Sequence, residues 1–233
     1  MQAFAFLGDH LYLLAGLYFL LFWIILFALL GKKWPAKRKM LIISSIFMVE
    51  VPFIEHLTLI DWWRPNFMFD TFFHFEDFLF GFAIAGVASG VYSLVASRSR
   101  MNMQNLATFS LSYKLFVIIG SLALIPVLFF LSPLNSFWAS VVALAFLNLL
   151  VLPKIPYILP SVLVTSFILV VIAIPGYFFG SYLHPGWIQE YWILGGWPGK
   201  TFLTVPIGEY VYYFLQGFST PVAQELLFAR MNP

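Results

Sequence analysis

No cysteine occurs in the 233-residue chain, which excludes disulfides and thiolate metal sites and leaves the redox compartment unread. Charge is nearly as scarce. Charged side chains make up 9% of the residues against 62% hydrophobic ones, and a mean hydropathy of +0.93 is incompatible with an ordinary soluble surface. No Gly-x-Gly-x-x-Gly follows a strand, so a dinucleotide site has no support, and neither His-x-x-x-His nor His-Glu-x-x-His is present. Nothing points to nucleic acid. No cofactor and no metal is expected.

What the chain has instead is long apolar runs. Seven candidate membrane spans emerge: Leu11 to Leu30, Leu41 to Ile60, Phe72 to Ala96, Leu115 to Leu131, Phe137 to Leu152, Ile158 to Phe179 and Val205 to Phe228. The stretch "GKKWPAKRK" between the first two holds five cations in nine residues, and positive-inside bias makes that loop cytoplasmic. Threading the remaining spans from this anchor puts ten of the twelve cations inside, leaving only Arg64 and Lys200 outside. The amino terminus is then outside, the carboxy terminus cytoplasmic, and the plasma membrane the expected location. "MQAFAFLGDH" has no basic leader, so the first span is expected to act as its own insertion signal.

Acids show the opposite asymmetry. Asp9, Glu50, Glu55, Asp61, Asp70, Glu76, Asp77, Glu190 and Glu209 all fall in the outer half of this threading, as do His10, His56, His74 and His184. Asp9, Asp61, Asp70, His184 and Glu190 sit near loops, where hydration accounts for them. Glu50, Glu55, Glu76, Asp77 and Glu209 lie inside spans, where an ionised carboxylate costs about 2.5–3.5 kcal/mol on insertion scales, so such groups face the bundle interior and mark a site. Apolar surroundings favour the protonated carboxyl. Glu50 precedes Asp61 by eleven residues, about 16 Å along a helix and therefore near the membrane middle, and Pro52 beside it frees a backbone carbonyl.

An internal comparison adds a second pattern. "DWWRPNFMFDTFFHFEDFLFGFAIAG" reads as tryptophan, proline, an aromatic-rich loop and a span opening on acids, and "PGWIQEYWILGGWPGKTFLTVPIGEYVYYFLQG" does the same. Aligning "HFEDFLFGF" with "PIGEYVYYF" pairs Asp77 with Glu209 and sets Glu76 against Gly208. Two spans precede each acid-opening span, which predicts an all-α, polytopic membrane helix bundle of two parallel three-helix repeats joined by a linker helix. The units are residues 1–100 and 134–233, with the linker at 101–133. Helices three and seven would then both begin at the outer face and share a cavity holding Asp77 and Glu209.

At these residues the chain resembles the integral-membrane lycopene cyclase domain family, whose units end in a tryptophan-bearing, Gly-rich loop and a Pro-x-Glu-Glu or Pro-x-Glu-Asp before a Leu/Phe-rich helix. The second unit keeps Trp192, Gly195, Gly196, Pro206 and Glu209 but carries Gly208 at the first acid; the first keeps Glu76 and Asp77 but has His74 at the proline. The amino-terminal "HLYLLAGLYFLLFWIILF" and the basic loop are also similar, so the resemblance covers nearly the whole chain. It implies cyclisation of an acyclic carotenoid end group without net redox: a proton is delivered to a terminal alkene, a tertiary carbocation closes the ring, and a neighbouring proton is lost. A protonated carboxyl can donate, a second carboxylate can accept, and aromatic faces stabilise the cation.

Glu76, Asp77 and Glu209 are thus the expected catalytic groups, with Glu76 the donor because its counterpart, Gly208, cannot titrate. Glu50, Glu55 and His56 are expected to hydrogen-bond around Glu76 and Asp77. Trp62, Trp63, His74, Phe78, Trp192, Pro206, Tyr210 and Tyr213 complete the expected substrate site. Expected partners are membrane lipid and the hydrophobic carotenoid, with homo-oligomerisation left open. Competing readings are a degenerate carotenoid binder, which Gly208 favours, and a membrane metalloenzyme using His10, His56, His74, Glu55, Glu76 and Asp77. A retinal photoreceptor is excluded because the last span has no lysine for a Schiff base.

Overall fold

The structure, a computed structural model, describes residues 8–69, 71–99 and 108–231. Asp70, Arg100 and the expected boundary between first unit and linker lie outside the described residues. Seven long helices account for most of the rest: α1 (Leu11–Leu29), α2 (Trp34–Asp61), α3 (Phe75–Ser99), α4 (Leu111–Leu131), α5 (Ser136–Val151), α6 (Leu159–Leu183) and, after the short helices α7 (Trp187–Tyr191) and α8 (Gly196–Gly199), α9 (Ile207–Phe228). Six of them, α1 to α6, with α5 continued by a short turn to Lys154 and α6 entered from Pro156, are long and apolar enough to cross a membrane, which makes the chain a polytopic membrane bundle.

Helix α9 differs in composition rather than length. At 22 residues it extends about 33 Å, but it carries Glu209, Gln216, Gln224, Glu225 and three tyrosines. Twelve of its residues are buried, so its polar groups face protein instead of lipid. Buried polar side chains tie it to its neighbours: Asn148 Nδ2 donates to Ser219 Oγ (2.9 Å) from α5, and Ser89 on α3 bonds Gln224. Close backbone approach does the same on the α6 side, where a Cβ on Gly217 would lie 2.6 Å from Ser166 Cα.

Helix ends follow local chemistry more closely than hydropathy does. The "KKWPAKRK" stretch, expected as a loop, is mostly the first turns of α2, because Pro35 in the first turn starts a helix at Trp34. Ser110 and Asn135 cap α4 and α5, accepting from Tyr113 N (3.2 Å) and Trp138 N (3.0 Å) and moving both starts ahead of the apolar runs. Helix α3 begins at Phe75, three residues later than expected, since Thr71 to His74 finish the preceding loop.

The loop after α2 meets the loop after α7 directly. Trp63 and Trp192 form an isolated antiparallel bridge, flanked by Ile193 N and Leu194 N donating to Trp62 O (3.0 and 2.9 Å) and Arg64 N donating to Tyr191 O (2.7 Å). Around it gather the end of α2, the start of α3, the start of α5, the end of α6 and the start of α9. Asp61, instead of being hydrated, caps α5 by accepting from Ser136 N at 3.0 Å. At the opposite end a short parallel pair, β1 (Thr108–Phe109) with β4 (Arg230–Met231), closes the bundle, and Lys114 Nζ donates to Leu227 O and Ala229 O (3.2 and 2.6 Å). A hairpin of β2 (Thr201–Phe202) and β3 (Val205–Pro206) leads into α9.

Candidate functional site

At the acid-rich end a cavity of about 350 Å³ lies among α1 to α6 and α9, beneath the paired tryptophan loops. Helical spacing decides what reaches it. On α2 the stripe Val51, Glu55, Thr58, Trp62 repeats at intervals of three and four and faces inward, with Glu50 and Ile54 at its edge. On α9 the residues three and four after Glu209, Tyr212 and Tyr213, share its face.

Eight of the lining residues form a closed chain of ring contacts. Tyr12 meets Trp63 (centroids 4.6 Å), Trp63 meets Trp192 (5.3 Å), Trp192 meets Trp187 (5.0 Å) and Trp187 meets Tyr177 (5.6 Å). Tyr177 then meets Tyr213 (6.2 Å), Tyr213 stacks on Phe19 (5.6 Å), Phe19 meets Phe80 (5.7 Å), and Phe80 returns to Tyr12 (5.5 Å). Most of these pairs are edge-to-face or tilted, which turns ring faces in several directions and presents π density to the space between them.

Three carboxyls line this enclosure, Glu50 at its edge and Glu55 and Glu209 in contrasting settings. Glu209 is buried and accepts three hydrogen bonds: Oε1 from Trp62 Nε1 (3.1 Å) and Trp192 Nε1 (3.2 Å), Oε2 from Tyr177 Oη (2.6 Å). All three partners donate, and an indole N–H can do nothing else, so they converge on a hydrogen-bond acceptor. Glu55 lies close enough to Asp77 and Glu209 to interact with both, yet its Oε1 is buried with no hydrogen-bond partner. Asp77 stands beside Tyr12, just behind the lining; neither of its oxygens nor the Tyr12 hydroxyl has a partner of normal geometry. Three acids thus lie near one another, and Glu209 is the one with both carboxyl oxygens supplied with donors, whereas Glu55 keeps a bare Oε1.

Glu50, Glu55, Trp62, Trp63, Trp192, Glu209 and Tyr213 are all brought to the cavity wall. Glu76, His56, His74, Phe78, Pro206 and Tyr210 are not. Glu76 is fully buried, but its Oε1 accepts from Met68 N (2.6 Å), and His74 stacks on Phe67 with centroids 3.4 Å apart, so both hold the loop between α2 and α3 in place. His56, one position beyond Glu55, turns away: its Nδ1 pairs with Pro52 O (2.8 Å) and its ring rests on Phe72. Phe78 meets Phe73, Pro206 belongs to the hairpin, and Tyr210 Oη donates to Phe202 O (2.9 Å).

Gly208 also has a physical reason. A Cβ there would lie 3.2 Å from Pro198 O and 3.3 Å from Phe137 Cε2, so α8 and α5 pack tightly around the position and would have to give way to any side chain. Tyr12, Tyr177, Trp187 and Tyr212, which the sequence reading passed over, complete the wall. Of these only Tyr212 carried a readable signal, its three-residue spacing from Glu209.

Among the described residues no three His, Asp or Glu side chains are grouped to hold a metal ion. Comparison with protein-family models, with curated proteins and with solved structures finds no match for this chain.

Proposed function

We propose that this protein is a membrane carotenoid cyclase that closes a ring on lycopene or a related acyclic end group by proton transfer, without net redox. The observation that carries the reading is the closed aromatic chain around a cavity into which Glu55 and Glu209 both open. Carbocations need π faces and no nucleophile, and a proton-started, proton-ended reaction needs one acid and one base near the same carbons. The family resemblance of the "HFEDFLFGF" and "VPIGEYVYYF" segments points the same way.

Roles follow from the hydrogen bonding. Glu55, whose Oε1 has no donor to satisfy it, carries the proton and delivers it to the terminal alkene, forming a C–H bond and a tertiary cation. The neighbouring alkene attacks that cation to form the ring C–C bond, and the adjacent C–H proton passes to Glu209. Its return to Glu55 within the acid cluster restores the starting state. Glu76 stands outside the lining and holds the loop, so the donor's role, expected for Glu76, moves to Glu55.

The two-unit architecture belongs to the same proposal. Helices α1 to α3 form one unit, α5, α6 and α9 the other, and α4 the linker; α3 and α9 each pack on their unit's other helices and on one another. Trp63 and Trp192, each in the tryptophan-bearing loop ahead of an acid-opening helix, meet as an antiparallel bridge, a contact that a pseudo-twofold axis relating those loops would create. The acid-rich end is assigned to the outside and the Lys114 end to the cytoplasm.

Expression in a host that accumulates lycopene, followed by pigment chromatography, tests the reaction. New cyclic product is the expected result. Unchanged lycopene that co-purifies with the protein would replace catalysis with carotenoid binding, the reading Gly208 favours.

A further inference from the structure

A second, larger space lies on the outside of the bundle and shares a wall with the first. A groove of about 950 Å³ runs between α2 and α4, floored by apolar residues that include Ile46, Val49, Phe53, Leu57, Leu122 and Pro126. It follows α2 from Leu41 to Leu57, sixteen residues or about 24 Å, most of the depth of a bilayer's hydrocarbon. Both helices that bound it carry an interior proline, Pro52 and Pro126, and pack on each other only lightly, so the gap is built into their course.

Glu50 and Ile54 line the groove and the inner cavity alike. The partition between them is therefore one turn of α2. Ser45, the groove's other polar side chain, is satisfied by Leu41 O (2.9 Å), whereas Glu50 has no hydrogen-bond partner among the described residues. A carboxyl without a partner between two apolar compartments is expensive to hold in a membrane. Glu50 lies within electrostatic range of Tyr212 on the cavity side, so its polar alternative is inward.

We infer that the groove is a lateral portal: the end group of a long bilayer-dissolved hydrocarbon passes between α2 and α4, past Glu50 and Ile54, into the cavity while the rest of the same chain stays along α2. The inference rests on the proposed lipophilic substrate, and it explains how a cavity of about 350 Å³ serves a molecule that is much longer than the space itself. Only the reacting end need enter. Ile54 sets the width of the opening and Glu50 positions the entering chain.

The absence of cysteine makes the route directly testable, because Ser140→Cys places the chain's single thiol on the cavity wall. In phosphatidylcholine vesicles, a maleimide on an alkyl chain should label this thiol faster than a membrane-impermeant sulfonated reagent, and adding Ile54→Trp should slow the lipophilic labelling at least tenfold. Leu21→Cys, on the exposed face of α1, serves as the reagent control and should be unaffected by Ile54→Trp. Leu144→Cys gives a second cavity position should Ser140→Cys fold poorly. Faster labelling by the impermeant reagent, or no effect of Ile54→Trp at either position, would overturn the portal. Lycopene added to the vesicles should protect the thiol; lateral access that Ile54→Trp blocks but lycopene does not would leave the portal standing and remove lycopene as the substrate.

Discussion

Replacing Glu209 by glutamine and by leucine separates its structural from its chemical role, and the two changes should diverge sharply. Glutamine keeps the shape. Its Oε1 can still accept from the Trp62 and Trp192 indoles, and its Nε2 can donate to Tyr177 Oη once that hydroxyl rotates to act as acceptor. Stability should therefore stay within about 1 kcal/mol of wild type. Leucine leaves the buried Trp62 and Tyr177 donors and the half-buried Trp192 indole unanswered; at about 1–3 kcal/mol each the loss is about 3 kcal/mol or more. For a chain of this size that lowers the melting temperature by about 6 °C or more. Cyclisation of lycopene in lipid nanodiscs should fall by about 10²- to 10⁴-fold in both variants, since neither side chain can take the departing proton. Equal stability of the leucine variant and wild type would refute the three-donor geometry, and a fully active glutamine variant would refute the acceptor role.

Four further outcomes follow from other contacts. Glu55→Gln should cost about 10²-fold or more in turnover measured by product chromatography, whereas Glu76→Gln, which can still accept from Met68 N, should leave turnover within about threefold of wild type; the reverse order would return the donor's role to Glu76. Gly86→Val should destabilise by about 1–3 kcal/mol in denaturant titrations, because a Cβ at Gly86 would already lie 2.2 Å from the Trp23 ring that packs α1 against α3. Leu203 and Thr204, the two tip residues of the β2–β3 hairpin, have φ of 49° and 64°, a conformation that favours Asn-Gly, so the double change to Asn and Gly should raise the melting temperature. Trp192→Phe removes one of two indoles on Glu209 Oε1 but keeps an aromatic ring, and should lower stability by about 1 kcal/mol and turnover by less than Glu209→Gln does.

Apolar run length made the helices legible, because a membrane leaves the backbone few alternatives. Six spans stand by that criterion, and the seventh region is a helix of expected extent whose tyrosines and amides lower its hydropathy. Caps and turns were harder to read: Pro35 pulled α2 back through the basic stretch, and Thr71 to His74 delayed α3. Within the site, helical phase was the signal that mattered most. Glu55, Trp62 and Tyr213 fall on the cavity face, while His56 and Tyr210, each adjacent in sequence to a wall residue, turn about 100° away. Tyr12 and Tyr177 carried no such mark. They come from helices with no acid on that face, and only tertiary packing brings their hydroxyls to Asp77 and Glu209.

On the two-unit reading, the equivalent acids Asp77 and Glu209 began alike, and what now separates them is their supply of donors. Around Glu209, α8 and α5 pack closely on Gly208, and three donors converge on the carboxyl. In the first unit Glu76 spends its Oε1 on the Met68 amide, Asp77 faces Tyr12 without a normal hydrogen bond, and Glu55 is left beside it with a bare Oε1. Two identical carboxyl settings would compete for one proton and give it no preferred direction. On the proposed assignment, an acid at Glu55 with a bare Oε1 and a base at Glu209 with three donors would give the proton a direction across the cavity. With Gly208 in the place where the first unit has Glu76, the proposal leaves Glu209 the single carboxyl at the start of α9 to act as the acceptor.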